Sequence, residues 1–234
     1  MDCMAYMRDI PDGYFDLAVA DPPYGGAGND ISGSNEIRNE RGRFGRYKTI
    51  RCERTGGDWA AKYGKGIKDW DIAPSQDFFD ELARVSKNQI IWGANYFPNM
   101  PPTRCFLIWR KLSISDMFTM AMAEYAWTSF NDNAKVFEMA PQGKKSDPRF
   151  HPTAKPKELY AWIYRLFANG GGGKIFDPMA GSQSSRIAAY KMGLDYVGCE
   201  IDKDYFDMGN KRFERECEGV SETSEGLVKQ LQLF

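Results

Sequence analysis

The chain has 234 residues, 42% hydrophobic and 27% charged, which fits one soluble domain, with room for an insertion, that buries its own core. One histidine, His151, and five scattered cysteines with no C-x-x-C pair argue against histidine-rich metal centres, zinc ribbons and disulfide frameworks, and fit a reducing cytoplasm. The formal net charge of −1 hides a segregation: Arg38 to Lys68 holds ten bases against three acids, whereas Asp195 to Glu225 holds ten acids against four bases.

Phe15 to Ala20 is a short apolar run ending at a turn, the pattern of a buried strand. Residues from about 30 to 68 read as a long basic insertion loop, rich in glycine and weak in apolar periodicity. Phe44, Tyr47, Trp59 and Tyr63 are interleaved with its cations. Cations for phosphates and aromatic faces for bases suit a nucleic acid, with Arg38, Arg41, Arg43, Arg46, Lys48, Arg51 and Arg54 as the contacting set. A solvated insertion is the alternative.

Ser75 can cap a helix whose Phe78, Leu82 and Val85 share one face. Gln89 to Trp92 and Cys105 to Trp109 read as strands, and Ala126 to Phe130 as an edge strand. Pro156 suits the first turn of a helix with Leu159, Ile163 and Leu166 on one stripe, ended by Asn169-Gly170. There follow a strand ending at Ile175-Phe176, a helix to about Met192, a strand from Tyr196 to Cys199, and a helix from about Asp204. That last helix is expected to carry Phe206, Phe213 and Cys217 inward and to close a single domain near residue 219. Residues 220 to 234 read as a flexible tail. Strands separated by helices imply an α/β fold, with a mainly parallel sheet covered by helices on both faces. No apolar run approaches the length of a membrane span, and no signal peptide is expected.

Two loops at strand ends carry the chemistry, because open α/β sheets bind ligands beyond the carboxyl ends of their strands. The first is Asp177-Pro178-Met179-Ala180-Gly181-Ser182. Its small residues let the backbone approach a ligand, and Glu200 follows Gly181 by nineteen residues at the end of the next strand. That spacing suits an acid on ribose hydroxyls. The turn lacks G-x-G-x-x-G, so a nucleoside without pyrophosphate fits better than a dinucleotide; a tight turn with a capping acid is the bland alternative. The second is Asp21-Pro22-Pro23-Tyr24. Two prolines stiffen the backbone and leave carbonyls free to accept, Asp21 adds a carboxylate, and Tyr24 adds a flat face. Two acceptors and a stacking platform match an amino group on a planar base. A proline-stiffened turn is the alternative.

These segments resemble the β-group of amino-methyltransferases that modify DNA at adenine N6 or cytosine N4, in particular the small phage and prophage type. Asp21 to Tyr24 resembles that family's catalytic motif, with Asp21, Pro22, Pro23 and Tyr24 in catalytic roles. Phe176, Asp177, Pro178, Ala180, Gly181 and Ser182 resemble its S-adenosylmethionine loop. Val197 to Asp202 resembles the ribose-binding motif, which implies cofactor contacts at Glu200 and Ile201. His151-Pro152-Thr153-Ala154-Lys155-Pro156 resembles the motif near the methionine end. There His151 and Thr153 shape the pocket and Lys155 meets the cofactor carboxylate. Asp2 and Cys3 match the segment that contacts the cofactor adenine. Ile91 to Phe97 and Glu124 to Phe130 resemble intervening motifs. The motif order, catalytic first and cofactor loop last, implies a circularly permuted Rossmann-like methyltransferase fold.

The chain departs from the family pattern in several places. Gln183 stands where the family loop has glycine, and Arg110 stands where aspartate often follows Trp109. The usual strand before Asp2-Cys3 is short or absent. The stretch between Phe130 and His151 is too short for a target-recognition domain, so reading of the DNA falls to the basic loop.

The resemblance implies direct methyl transfer from S-adenosylmethionine to a flipped-out base, without metal or covalent enzyme intermediate. Asp21 and the Pro22 carbonyl would accept the two amino N–H bonds, and Tyr24 would stack on the base. Cys105 lacks the Pro-Cys context of cytosine-C5 chemistry. Aspartate in the tetrapeptide leans toward adenine N6. The alternatives are cytosine N4, protein glutamine, or a non-catalytic DNA- or clamp-binding protein that keeps the fold. Trp109 and Trp127 could stack on bases or fill the core. The end of the chain, Gln230-Leu231-Gln232-Leu233-Phe234, resembles the peptide by which bacterial proteins dock on the replication sliding clamp, through Gln230, Leu231, Leu233 and Phe234. The chain is expected to act as a monomer or homodimer.

Overall fold

The computed structural model describes residues 1–25, 72–114, 121–141, 150–168 and 173–218, with the backbone alone of 220–223 and 226–229. Its elements in chain order are α1 (Cys3–Arg8), β1 (Leu17–Ala20), α2 (Gln76–Val85), β2 (Gln89–Trp92) and a 3₁₀ turn (Ala94–Tyr96). Then come β3 (Phe106–Lys111), β4 (Ala123–Thr128), β5 (Lys135–Met139), α3 (Lys157–Phe167), β6 (Lys174–Asp177), α4 (Ser184–Lys191), β7 (Asp195–Gly198) and α5 (Lys203–Phe213). A π-helical turn, Glu214–Glu218, extends α5, and Val220–Thr223 (β8) pairs antiparallel with Gly226–Lys229 (β9). A hairpin thus stands where the flexible tail was expected to begin.

Strands β1 to β7 form one sheet in the order β5-β3-β4-β2-β1-β6-β7. All described pairings are parallel except those of β4, which runs opposite to both β2 and β3. The α/β reading with a mainly parallel sheet therefore holds. The chain leaves β1 toward β2 on one side and returns through β6 on the other, which puts the switch in strand order between β1 and β6.

The period-2 alternation of β1 explains the two layers. Leu17 and Val19 join Ile90, Trp92, Leu107, Trp109 and the inner stripe of α3 on one face. Ala18 and Ala20 join Met7, Phe15, Phe78, Leu82 and Phe176 on the other. Helix α2 buries Phe78, Leu82 and Val85 as its spacing predicts.

Three expectations about facing and position are corrected. The Ala126 to Phe130 segment is not an edge: β4 lies between β2 and β3, and the edge on that side is β5, whose alternating Lys135-Val136-Phe137-Glu138 lacks an apolar-run signal. Leu166 is 40% exposed, and Tyr160 and Tyr164 complete the buried stripe of α3 instead. Phe206 is 43% exposed because α5 starts from the Asp202 cap, a phase that turns Tyr205, Gly209 and Phe213 inward. Helix α3 ends at Phe167, so the Asn169-Gly170 stop lies just outside the described residues. Trp109 is a core residue whose indole N–H donates to the Met139 carbonyl at 3.0 Å. Cys105 is fully buried.

Candidate active site

Because β1, β2, β6 and β7 run parallel, the segments after them leave from one edge of the sheet. That edge gathers Asp21 to Tyr24, Gly93 to Tyr96, Asp177 to Ser182 and Cys199 to Asp202. The antiparallel strand β4 brings its beginning there, and the Trp109–Glu124 pairing sets Glu124 beside the end of β3.

Lys155 joins these strands. Its Nζ lies 2.5 Å from Asp21 Oδ1 and 3.0 Å from Glu124 Oε2. Lys111 Nζ lies 2.5 Å from Glu124 Oε1. Four charges of alternating sign follow one another, each largely withdrawn from water: Asp21, Lys155, Glu124, Lys111. A lone charge in that place would be costly, and the alternation is what makes its burial tolerable. Burial raises the Asp21 carboxyl above its ordinary range; Lys155 opposes this and Glu124 adds to it. Burial would raise Glu124 too, but Lys155 and Lys111 outweigh it and hold that carboxyl at about 2. Burial alone would discharge Lys155, yet Asp21 and Glu124 keep its ammonium more stable than an ordinary lysine's.

Tyr24 Oη donates to Asp21 Oδ1 at 3.1 Å, the same oxygen that meets Lys155. Among the described residues Oδ2 carries no hydrogen bond, and no backbone N–H donates to the Pro22 carbonyl. Burial and the adjacent carboxylates keep the Tyr24 phenol neutral well above its ordinary range. Its ring stacks on Tyr96 at 4.8 Å and 23°. The flat face expected of Tyr24 is thus half of a two-ring stack. Gly93, with φ +67°, lies against the ring.

Glu200 stitches the Asp177 to Ser182 turn to the end of β7: Oε2 accepts from the Gly181 N–H and Oε1 from the Asp202 N–H, both at 2.8 Å. Burial pushes this carboxyl up, and those two donors pull against it. Ile201 beside it is 77% exposed. Asp177 is buried; Oδ1 accepts from the Met179 N–H at 3.0 Å and Oδ2 from Tyr196 Oη at 3.4 Å. Burial raises it to about 6. Phe176 stacks on Phe15 beneath the loop, and Pro178, Ala180, Gly181 and Ser182 are buried within it. The His151 ring packs over Gly181, where a Cβ would lie 3.3 Å from Nε2, and meets Tyr205 edge-on at 4.3 Å. Thr153 Oγ1 is 3.3 Å from His151 Nδ1. Asp2 caps α1 by accepting from the Met4 N–H at 2.8 Å, and Cys3 packs in the cluster that holds Phe176 and Cys199.

The structure therefore brings together Asp2, Cys3, His151, Thr153, Phe176 to Ser182, Glu200 and Ile201 on one side, and Asp21, Pro22, Pro23 and Tyr24 on the other. Lys155, expected at the cofactor carboxylate, sits between Asp21 and Glu124. Sequence reasoning missed Glu124, Lys111, Tyr96 and Arg212. Glu124 and Lys111 are charged residues within strands, and only the pairing register reveals what they face; Tyr96 lies in the 3₁₀ turn after β2 and Arg212 on α5, where tertiary packing alone shows their partners. Arg38, Arg41, Arg43, Arg46, Lys48, Arg51, Arg54, Gln230, Leu231, Leu233 and Phe234 lie outside the described residues.

A family model described as DNA methylase, of the N6/N4 methyltransferase type, matches residues 59–211. The type II methyltransferase M.HinfI of Haemophilus influenzae is 24% identical, over 90% of this chain and 66% of that protein. The DNA adenine methyltransferase YhdJ of Escherichia coli is 36% identical over 64 residues, 27% of this chain and 21% of that protein. The chain spans less than two thirds of the length of both curated relatives. Among solved structures, the cytosine-N4-specific PvuII DNA methyltransferase superposes with a TM-score of 0.55 at 11% identity, over 91% of this chain and 84% of that one. The M1.HpyAVI–SAM complex superposes with a TM-score of 0.52 at 16% identity, over 91% and 96%. These likenesses establish the fold. With the family match extending over more than half its length, the chain belongs to the DNA methylase family of N6- and N4-directed methyltransferases.

Proposed function

We propose that this chain transfers a methyl group from S-adenosylmethionine to N6 of a flipped-out adenine at a specific DNA site. The observation that carries the reading is Asp21: Lys155 and Tyr24 hold Oδ1, while Oδ2 has no hydrogen bond among the described residues. An acceptor so oriented suits one N–H of a base amino group, and the Pro22 carbonyl suits the other. The donor set across the edge fits a nucleoside cofactor: the Glu200 carboxylate for ribose hydroxyls, exposed Ile201 for a flat base, and the buried turn at Gly181 for close backbone approach.

S-adenosylmethionine supplies an electrophilic methyl group on a sulfonium. The chain's own residues hold the amino nitrogen in line with it, an alignment that supplies about 7–11 kcal/mol where it is near ideal. Asp21 accepts the proton that the nitrogen gives up. Flipping the base costs a few kcal/mol, which phosphate contacts from Arg38, Arg41, Arg43, Arg46, Lys48, Arg51 and Arg54 offset. Aspartate in the tetrapeptide favours adenine over cytosine. The likeness to a cytosine-N4-specific enzyme keeps N4 methylation as the second reading.

Nucleoside mass spectrometry of DNA incubated with protein and cofactor, beside Asp21→Ala, tests both. N6-methyladenine in the first sample alone is expected. Equal methylation in the two samples overturns the mechanism, and N4-methylcytosine alone overturns the base assignment. The same reading extends to the sliding clamp as a partner of Gln230, Leu231, Leu233 and Phe234. Deleting residues 230–234 should abolish clamp binding, and unchanged binding overturns that docking.

A further inference from the structure

Behind Asp21 the ion pairs continue away from the reacting atoms, through Lys155 to Glu124 and then to Lys111. Glu124 is linked to Asp21 through Lys155 and also acts on it as a nearby like charge. The lysine is shared: its Nζ is 2.5 Å from one carboxylate and 3.0 Å from the other. How much of its charge serves Asp21 therefore depends on how much Glu124 draws off.

We propose that Glu124 is a positioning residue for methyl transfer, which partly diverts Lys155 and so keeps Asp21 basic enough to take the proton of the target amine. This rests on the amino-methyltransferase reading of the site. In the step concerned, the amino lone pair forms the N–CH₃ bond as the C–S bond breaks and its electron pair stays on sulfur. The nitrogen then carries a positive charge and loses a proton to Asp21, which later releases it to water. If Lys155 served Asp21 alone, the carboxylate would be a weaker base at that moment. If Lys155 were absent, nothing would oppose the burial that raises the Asp21 carboxyl, and its protonated form would be favoured. Glu124 sets the balance, and Lys111 keeps Glu124 ionised so that it can do so. The other titratable groups facing the pair are Tyr24 and Tyr96 from the two strand-end turns, Tyr160 from α3 and Asp177 from β6. Burial keeps the Tyr24 and Tyr160 phenols neutral near neutral pH, whereas the buried Asp177 carboxyl is raised to about 6.

The signs are opposite for two substitutions. Glu124→Gln removes a like charge near Asp21 and frees Lys155 for it, so the Asp21 pKa falls. Lys155→Met removes the opposite charge, so it rises. Titrating the Asp21 side-chain carboxyl by ¹³C NMR in the free protein, with the signal assigned by its loss in Asp21→Asn, reads this without DNA or cofactor. We expect a downward move of about one pH unit in Glu124→Gln and an upward move of at least that in Lys155→Met. In single turnovers the acid limb of the rate should follow the Asp21 titration. The plateau rate of Glu124→Gln should drop roughly three- to tenfold, with little change in KM for DNA. An Asp21 titration that does not move in Glu124→Gln, or moves upward, overturns the proposal. Glu124→Gln is nearly isosteric, so it serves even if Lys155→Met does not fold. Wild-type protein that methylates no base would overturn the reading of the reaction, whereas the titration alone still decides the coupling.

Discussion

Gly93 leaves no room for a side chain against Tyr24: a Cβ at that position would sit 2.0 Å from ring Cε1 and 2.5 Å from Cζ. The glycine also holds φ at +67°, where an L side chain is strained. Two independent constraints thus make position 93 the seat on which Tyr24 rests.

Gly93→Ala should therefore act on catalysis more than on folding. The methyl group must push Tyr24 off its place, and with it the hydroxyl that donates to Asp21. A displacement near 1 Å in a positioned group costs on the order of 100-fold in rate. The strain itself costs about 1–3 kcal/mol. Single-turnover methylation and urea unfolding of the same preparation measure the two effects. A rate within threefold of wild type would show that Tyr24 does not need this seat.

Asp177 sets a pH dependence of stability. Its carboxyl is raised from an ordinary 3.8 to about 6 by burial, so the folded state prefers the protonated form. A raised folded-state pKa gives a contribution that is fully present below the unfolded value and is lost as pH rises through the folded one. The window therefore runs from about 4 to about 6. One pH unit corresponds to about 1.4 kcal/mol, so the loss by pH 7 is of order 2–3 kcal/mol. Asp177→Asn keeps an oxygen for the Met179 N–H and cannot ionise. Relative to wild type, it should gain stability as pH rises from 4 to 7, by thermal or urea unfolding. A difference that stays constant over that range contradicts this account.

The strand-end turns were legible because their signals are local. Asp21-Pro22-Pro23-Tyr24 and the turn from Asp177 to Ser182 are short runs whose residue types dictate backbone behaviour. Glu200 was legible because one crossover helix fixes its spacing from Gly181. Glu124 and Lys111 were not, since what they face depends on the register between β3 and β4 and on Lys155 arriving from a segment more than thirty residues away. β5 escaped notice because a half-exposed edge strand alternates polar and apolar residues without an apolar run. The mistaken facing of Phe206 has a similar cause. A shift of one residue at the Asp202 cap turns a helix by about 100°, enough to exchange Tyr205 for Phe206 in the core.

Arg212 ties α5 to the turn that follows β6. Its Nη1 donates to the Ser182 carbonyl and to Ser184 Oγ, both at 2.8 Å, and its Nε donates to Glu216 Oε1 at 3.1 Å. Arg212→Met leaves the buried Ser182 carbonyl without that donor, while Glu216 keeps Lys157 and Lys191 nearby. The expected loss of stability is about 2–3 kcal/mol rather than the larger cost of an isolated buried charge. Loosening the loop should also weaken S-adenosylmethionine binding by roughly tenfold, read by calorimetry. Unchanged affinity beside lowered stability would assign Arg212 a purely structural part.

Gln183 and Gly209 form a second complementary pair. Gln183 holds φ +61° and is buried, and its Cγ would be 2.4 Å from a Cβ placed at Gly209. The side chain of the strained residue therefore fills the space that the glycine of α5 leaves open. Gly209→Ala gains helix propensity worth about 1 kcal/mol, but the clash should cost more, so a net loss of about 1–3 kcal/mol is expected. Gln183→Gly relieves a left-handed backbone, a gain of about 1 kcal/mol, against lost packing over Gly209. The double variant removes the clash and keeps both backbone gains, so it should be more stable than Gly209→Ala alone by more than Gln183→Gly adds to wild type. Urea midpoints of the four proteins measure that coupling. A coupling near zero would mean that the loop moves aside freely and that Gln183 does not pack against α5 in solution.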